Sequence, residues 1–222
     1  MKIHDLSYNL NEDTWYYGAP YTPFRSKKIA TMEKNGYIAR EFNMNSHFGT
    51  HIECAAHWDD DGASVTDFPM ETFIGDAKVF KFGPVKDDYF AIDREMLIKA
   101  GGEDLKSGDI LILSTGWDEV IKEQKYVTKS PFLTIDGAEY LASKKVKLVA
   151  FDFPMCGDPR DGVDSVPEGT ELPDTILFDA GIPVVVGMVS TVSLPKSVHF
   201  VALPLKIEGA DGTPVRAVAI EK

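Results

Sequence analysis

Seven short runs of β-branched or otherwise apolar residues, at 39–44, 77–82, 109–114, 146–152, 182–188, 198–207 and 215–220, limit what this chain can become. They alternate with few helix signals, so a sheet must form the body of the fold. Asp93 is placed to cap the free amides of Arg94 to Met96, and Gly101-Gly102 stops the helix that follows. A second helix is predicted around 118–123. A third is predicted over 136–144, with Tyr140 and Leu141 facing inward and two lysines near its C-terminal end, where the helix dipole favours cations. Helices set before or after strands give a mixed α/β domain in which strands outnumber helices.

No repeat, low-complexity stretch or Pro- or Gly/Ser-rich linker interrupts the 222 residues, so one domain over 1–222 is expected. Hydrophobic and charged contents of 44% and 26% are those of an ordinary globular protein. The net charge of −12 is spread along the chain without a basic stripe, which disfavours nucleic acid and fits a small-molecule substrate better. No window approaches the roughly 18 apolar residues of a membrane span, and the first residues lack an export signal. Cys54 and Cys156 are too few for a disulfide framework and lack metal-finger spacing. Both read as free thiols of a reducing compartment, with the cytoplasm as the default location.

Three of the five histidines fall within eleven residues, in the stretch from His47 to His57. In an extended backbone His47, His51, Glu53 and His57 share parity and point to one face, with only Gly49 and Ala55 between them. The opposite face carries Phe48, Ile52, Cys54, Ala56 and Trp58, the alternation of a segment packed on a core. A helix would pair His47 with His51 but turn Glu53 away, and Gly49-Thr50 weakens it, so an extended or turn-like segment is expected. Two imidazoles and a carboxylate form the ligand set of a catalytic zinc site, with a fourth position left for water; Mn²⁺ or Fe²⁺ suits the same donors. A lone histidine reads as an ordinary structural residue, but three with a glutamate in one parity class read as a metal site.

The same segment resembles the signature of the cyclase family of metal-dependent hydrolases, which includes bacterial kynurenine formamidases. That signature, His-x-Gly-Thr-His-x-Asp-x-Pro-x-His, is matched by His47-Phe48-Gly49-Thr50-His51 and by His57, with Glu53 in place of Asp and Ala55 in place of Pro. Ile3 to Ser7, Gly108-Asp109-Ile110, Thr115-Gly116-Trp117, Ala202 to Ile207 and Gly212 to Ala217 extend the likeness. The resemblance implies a swivelling β/β/α fold, assembly as a homodimer or homotetramer, His47, His51 and Glu53 as metal ligands, and His57 as proton donor and acceptor. The family's second metal needs a later His and Glu, and these fall on Asp174 and Val186. Asp174 keeps an oxygen donor for a hard cation; Val186 has none, and no histidine occurs between 58 and 198. One divalent cation per chain, Zn or Mn, is therefore expected.

The activity so implied is hydrolysis of a small amide, lactam or ester, with metal-bound water as nucleophile and His57 as general acid and base. Trp15, Tyr16, Tyr17 and Trp58 are candidates for an aromatic substrate pocket, and equally for ordinary core or interface aromatics. A rival of another class is a family member that binds a metal or ligand, or assembles with a partner, without turnover. Cys156 as a nucleophile lacks a base nearby in sequence. Asp59-Asp60-Asp61-Gly62 reads as a solvated turn, and an acidic loop with Asp158, Asp161, Asp164, Glu168 and Glu171 as a surface loop or lid that could lend a metal ligand.

Overall fold

Ile110–Ser114, Leu148–Phe151 and Val184–Val186 are buried along their whole length, which is why their sequences are unbroken apolar runs rather than alternating ones. A computed structural model, describing residues 1–161 and 170–221, places them side by side in parallel. Ile74–Lys81 extends the parallel set on the Ile110–Ser114 side. Antiparallel strands flank this centre and complete a nine-stranded mixed sheet. Its order is Lys2–Asp5, Val218–Glu221, Ser197–Val201, Ile74–Lys81, Ile110–Ser114, Leu148–Phe151, Val184–Val186, His51–Glu53 and Gly212–Pro214.

The two faces of the sheet carry separate cores. Leu111, Leu113, Val149 and Phe151 pack with Tyr140 and Leu141 on one side. Ile110, Ile112, Leu148 and Ala150 pack with Val198, Phe200 and Ala219 on the other. Each fully buried side chain of this size contributes roughly 1.5–3 kcal/mol. The mixed α/β architecture with few helices is the one expected.

Asp93 caps the helix Arg94–Lys99 by accepting the Met96 N–H at 2.8 Å, and Gly101 follows the end with φ +114. Ile135–Lys144 is helical with Tyr140 and Leu141 buried, as predicted, and Thr134 is its cap. The helix expected over 118–123 is instead a short 3₁₀ turn, Trp117–Val120. Asp118 is engaged across the fold, accepting the Ser190 N–H at 2.8 Å, and Trp117 donates its indole N–H to the Tyr126 carbonyl at 3.0 Å. The strand expected over 198–207 ends at Val201. Pro204 lies a few residues beyond, where a strand would need its missing N–H. A helix the sequence reading missed, Pro173–Asp179, starts with proline at its first position.

A two-stranded hairpin, Arg25–Ala30 with Ala39–Asn43, stands apart from the main sheet. Among the described residues no helix is long and apolar enough to cross a membrane. Asp164 and Glu168 of the acidic loop lie outside the described residues; of the rest, Pro159–Asp161 forms a 3₁₀ turn.

Candidate metal centre

His51–Glu53 is held on both sides, antiparallel to Val184–Val186 and to Gly212–Pro214, with Glu53 opposite Val184 and Gly212. Only these three residues of the histidine segment are strand. Before them Gly49 turns the chain with φ +64, where an added Cβ would meet Leu10 Cδ2 at 2.3 Å, and Asn45 fixes His47 by accepting its backbone N–H at 2.9 Å. After them Ala55–His57 winds into a 3₁₀ turn. The single extended face expected to carry all four polar residues is thus corrected to a turn, a strand and a second turn. Phe48, Ile52 and Cys54 are fully buried as predicted, but Trp58 is 42% exposed, because the 3₁₀ turn breaks the alternation before it.

The folded segment brings His47, His51 and Glu53 together. His47 Nδ1 lies 3.0 Å and His51 Nε2 2.8 Å from the same oxygen, Glu53 Oε1. The outer nitrogens are anchored as well: His51 Nδ1 is 2.8 Å from the Gly49 carbonyl and His47 Nε2 is 2.6 Å from Asp211 Oδ2. A ring whose outer nitrogen donates to an oxygen presents its inner nitrogen as a lone pair, the arrangement that orients metal-ligating histidines. Donor atoms about 3.3 Å apart surround a tetrahedral ion with bonds near 2.0 Å. The three donors all lie within 4.8 Å of one another, a group that could hold a metal ion.

Asp211 is a residue that the sequence alone does not single out. The strand pairing brings it in. Gly212 sits opposite Glu53, and a Cβ on it would lie 2.5 Å from the Ile52 carbonyl oxygen. Only glycine lets the chain come this close, and Asp211 arrives beside both His47 and His57. Its Oδ2 is 3.5 Å from His57 Nδ1, and His47, His57 and Asp211 form a second donor group beside the first.

Charge in this cluster is tightly paired. Against the cost of burial, the adjoining rings of His47 and His51 hold the Glu53 carboxyl well below its ordinary value. Burial also opposes the ionisation of Asp211, yet the rings of His47 and His57 hold it far below the usual carboxylate range. His47, pulled down by burial but gripped by Asp211 and Glu53, rises to about 9, whereas burial keeps His51 below its ordinary value.

A family model described as "Putative cyclase" matches residues 4–156. The chain belongs to the cyclase family. Among curated cyclase-family relatives, the kynurenine formamidase of Bacillus cytotoxicus is 29% identical over 217 residues, covering 96% of this chain and 95% of its own. Isatin hydrolase A from Labrenzia aggregata, solved with benzyl benzoate, superposes with a TM-score of 0.86 at 22% identity over 100% of this chain and 94% of its own. An isatin hydrolase bound to the product analogue thioisatinate gives 0.88 at 20% identity over 98% of this chain and 91% of its own. These two structures establish the fold of this cyclase-family chain.

A cavity of about 180 Å³ opens beside the centre, lined by His47, Glu53 and His57, by Tyr17, Tyr21 and Trp58, and by Asp174 and Cys156. Of the four aromatic residues expected at a substrate pocket, Tyr16 lines a neighbouring cleft, while Tyr17 and Trp58 stand at the cavity. Trp15 does not: it packs behind Tyr17, edge-on at 5.4 Å, and against Tyr126 at 5.1 Å, on a neighbouring cleft. Tyr21, which the sequence reading passed over, lies 5.3 Å from Tyr17 and 5.8 Å from His47 between ring centres.

Asp174 and Val186 are the residues on which the resemblance set the family's later His and Glu. Val186 pairs across the sheet with His51 and offers no donor atom. Asp174 stands outside both donor groups, so the structure does not bring it to His47, His51 and Glu53 as a ligand. Its Oδ2 instead accepts the Trp58 indole N–H at 3.0 Å. Burial, then the charge of Glu53, pushes its carboxyl up to about 6.

Proposed function

We propose that this protein is a metal-dependent hydrolase of a small amide, lactam or ester, with one divalent cation, Zn or Mn, held by His47, His51 and Glu53. The observation that carries the reading is the convergence of His47 Nδ1, His51 Nε2 and Glu53 Oε1 while both outer ring nitrogens are tied to oxygens. A cation held there supplies Lewis-acid polarisation of a carbonyl and lowers the pKa of water at its open position. The kynurenine formamidase and isatin hydrolase relatives support hydrolysis at a C–N bond.

The remaining work falls to the chain's own groups. His57, one-fifth exposed at the cavity and 4.0 Å from the His47 ring, has Nδ1 turned toward Asp211. Its other nitrogen is left to take a proton from water and pass it to the departing nitrogen or oxygen. Asp211 orients both rings at once. Tyr17 and Trp58 provide the apolar walls that hold an aryl or cyclic amide, and the aromatic enclosure limits water to the reacting face.

The test is hydrolysis of formanilide by metal-loaded protein and by the same protein stripped with a chelator. Activity that disappears on stripping and returns with Zn²⁺ or Mn²⁺ supports the reading. Equal activity in both forms, or silence of the loaded protein toward amides, lactams and esters alike, contradicts it and favours a member that binds without turnover.

The reading extends to assembly as a homodimer or homotetramer. On the hairpin and its connection, Ile29, Met32, Tyr37, Ile38 and Phe42 are each more than half exposed, an apolar surface suited to a second copy. Light scattering that returns one chain mass at micromolar concentration would contradict it.

A further inference from the structure

The hydrolase reading leaves open what kind of amide enters, and the charges around the cavity bear on that. Glu53 is paired with His47 and His51, and Asp211 with His47 and His57. Asp158, on the cavity wall, is taken by Arg160, whose Nε lies 2.9 and 3.0 Å from its two oxygens. That guanidinium also stacks over the rings of Tyr89 and Phe132, at 5.0 and 5.7 Å. Among the described residues no lysine or arginine lines the cavity.

Asp174 differs from these three carboxylates. It is 8% exposed, and its hydrogen-bond donors are neutral: the Trp58 indole at 3.0 Å and the Thr175 backbone N–H at 3.2 Å. Each oxygen of a carboxylate accepts more than one donor, so both retain capacity toward the cavity. The same cavity wall presents Tyr17, Tyr21 and Trp58. A desolvated carboxylate flanked by aromatic rings is the surrounding in which an ammonium is stabilised, by ion pairing and by the ring quadrupoles together. A substrate carboxylate would meet Asp158, Asp161 and Asp174 with no lysine or arginine to receive it, the His47 and His57 rings being already paired with Glu53 and Asp211. The volume, about 180 Å³, sets the size, since a cavity of roughly 150 Å³ admits benzene. One aryl ring with a small substituent fills it.

We propose that the cavity selects aryl amides carrying a cationic amino substituent, and that Asp174, paired with that substituent, determines the preference. This rests on the hydrolase reading, which supplies the reacting amide; Asp174 supplies the choice among amides.

The experiment compares kcat/KM of metal-loaded protein on three formanilides that differ at the meta position: aminomethyl, ethyl and carboxymethyl. The ammonium compound is expected to exceed the ethyl compound by about tenfold and the carboxylate compound to fall below both. In Asp174→Asn the ammonium-to-ethyl ratio is expected to collapse toward one at unchanged metal content; being a ratio, it is independent of any loss common to all three substrates. A wild-type ratio at or below one, a ratio that Asp174→Asn leaves in place, or loss of the metal in that variant would overturn the proposal. If none of the three is hydrolysed, the hydrolase reading fails by itself. Calorimetry of meta-aminomethylaniline against meta-ethylaniline then still reads the selectivity, with tighter binding of the first supporting it and equal binding refuting it.

Discussion

Asp211 Oδ2 lies 2.6 Å from His47 Nε2, on the side of the ring away from Glu53, and so fixes which nitrogen of His47 faces the donor cluster. Carboxylates that accept the outer N–H of a ligating histidine raise its basicity and lock its orientation, and their loss typically weakens metal binding by about 10–100-fold. Asp211→Ala is therefore expected to lower affinity for Zn²⁺ in that range, measured by competition with a fluorescent chelator, with Asp211→Asn losing less because it still accepts the ring N–H. Affinity unchanged in both variants would remove Asp211 from the site.

This relationship marks the boundary of what could be read in the sequence. The histidine segment was legible because its ligands are local: His47, His51 and Glu53 lie within seven residues, and side-chain types alone identify the chemistry. Asp211 is 164 residues from His47 and becomes a neighbour only through the pairing of Gly212–Pro214 with His51–Glu53. Tyr21 is likewise placed by the path of a loop, which carries no periodic signal. The central strands were legible because burial on both faces demands unbroken apolar runs. Their ends, the turn at Trp117–Val120 and the helix Pro173–Asp179 were not, since each depends on what packs against it.

His57 stands one-fifth exposed where it faces both the cavity and Asp211. Replacing it with alanine removes the proton carrier and leaves His47, His51 and Glu53 in place. Turnover of formanilide is expected to fall by about 10²–10⁴-fold with metal content intact. A His57→Ala protein that turns over normally, or that loses its metal, would deny it this role.

The cysteines are expected to be inert. Burial pushes the Cys156 thiol well above its ordinary range and that of Cys54 up to about 12. Neither is a thiolate near neutral pH, and a nucleophilic Cys156 has no support from its surroundings. Native protein at pH 8 should resist Ellman's reagent until denatured, and Cys156→Ala should still hydrolyse amides. Rapid labelling of Cys156 in the folded state would reopen that possibility.

Asp152, fully buried just beyond Leu148–Phe151, accepts the backbone N–H groups of Thr115 and Gly116 and the hydroxyls of Thr115 and Thr191. It ties the ends of two central strands to the segment carrying Thr191. Asp152→Ala strands several buried donors and is expected to cost roughly 3–5 kcal/mol in urea unfolding. A loss under about 1 kcal/mol would show that other acceptors replace it.

The central claim is that three side chains grip one ion, and anomalous diffraction at the absorption edge of the bound metal tests it most directly. Crystals grown with Zn²⁺ or Mn²⁺ should show one strong peak per chain, about 2.0–2.2 Å from His47 Nδ1, His51 Nε2 and Glu53 Oε1. A stoichiometric peak elsewhere, or none beside those three atoms in metal-supplemented crystals, would contradict the account.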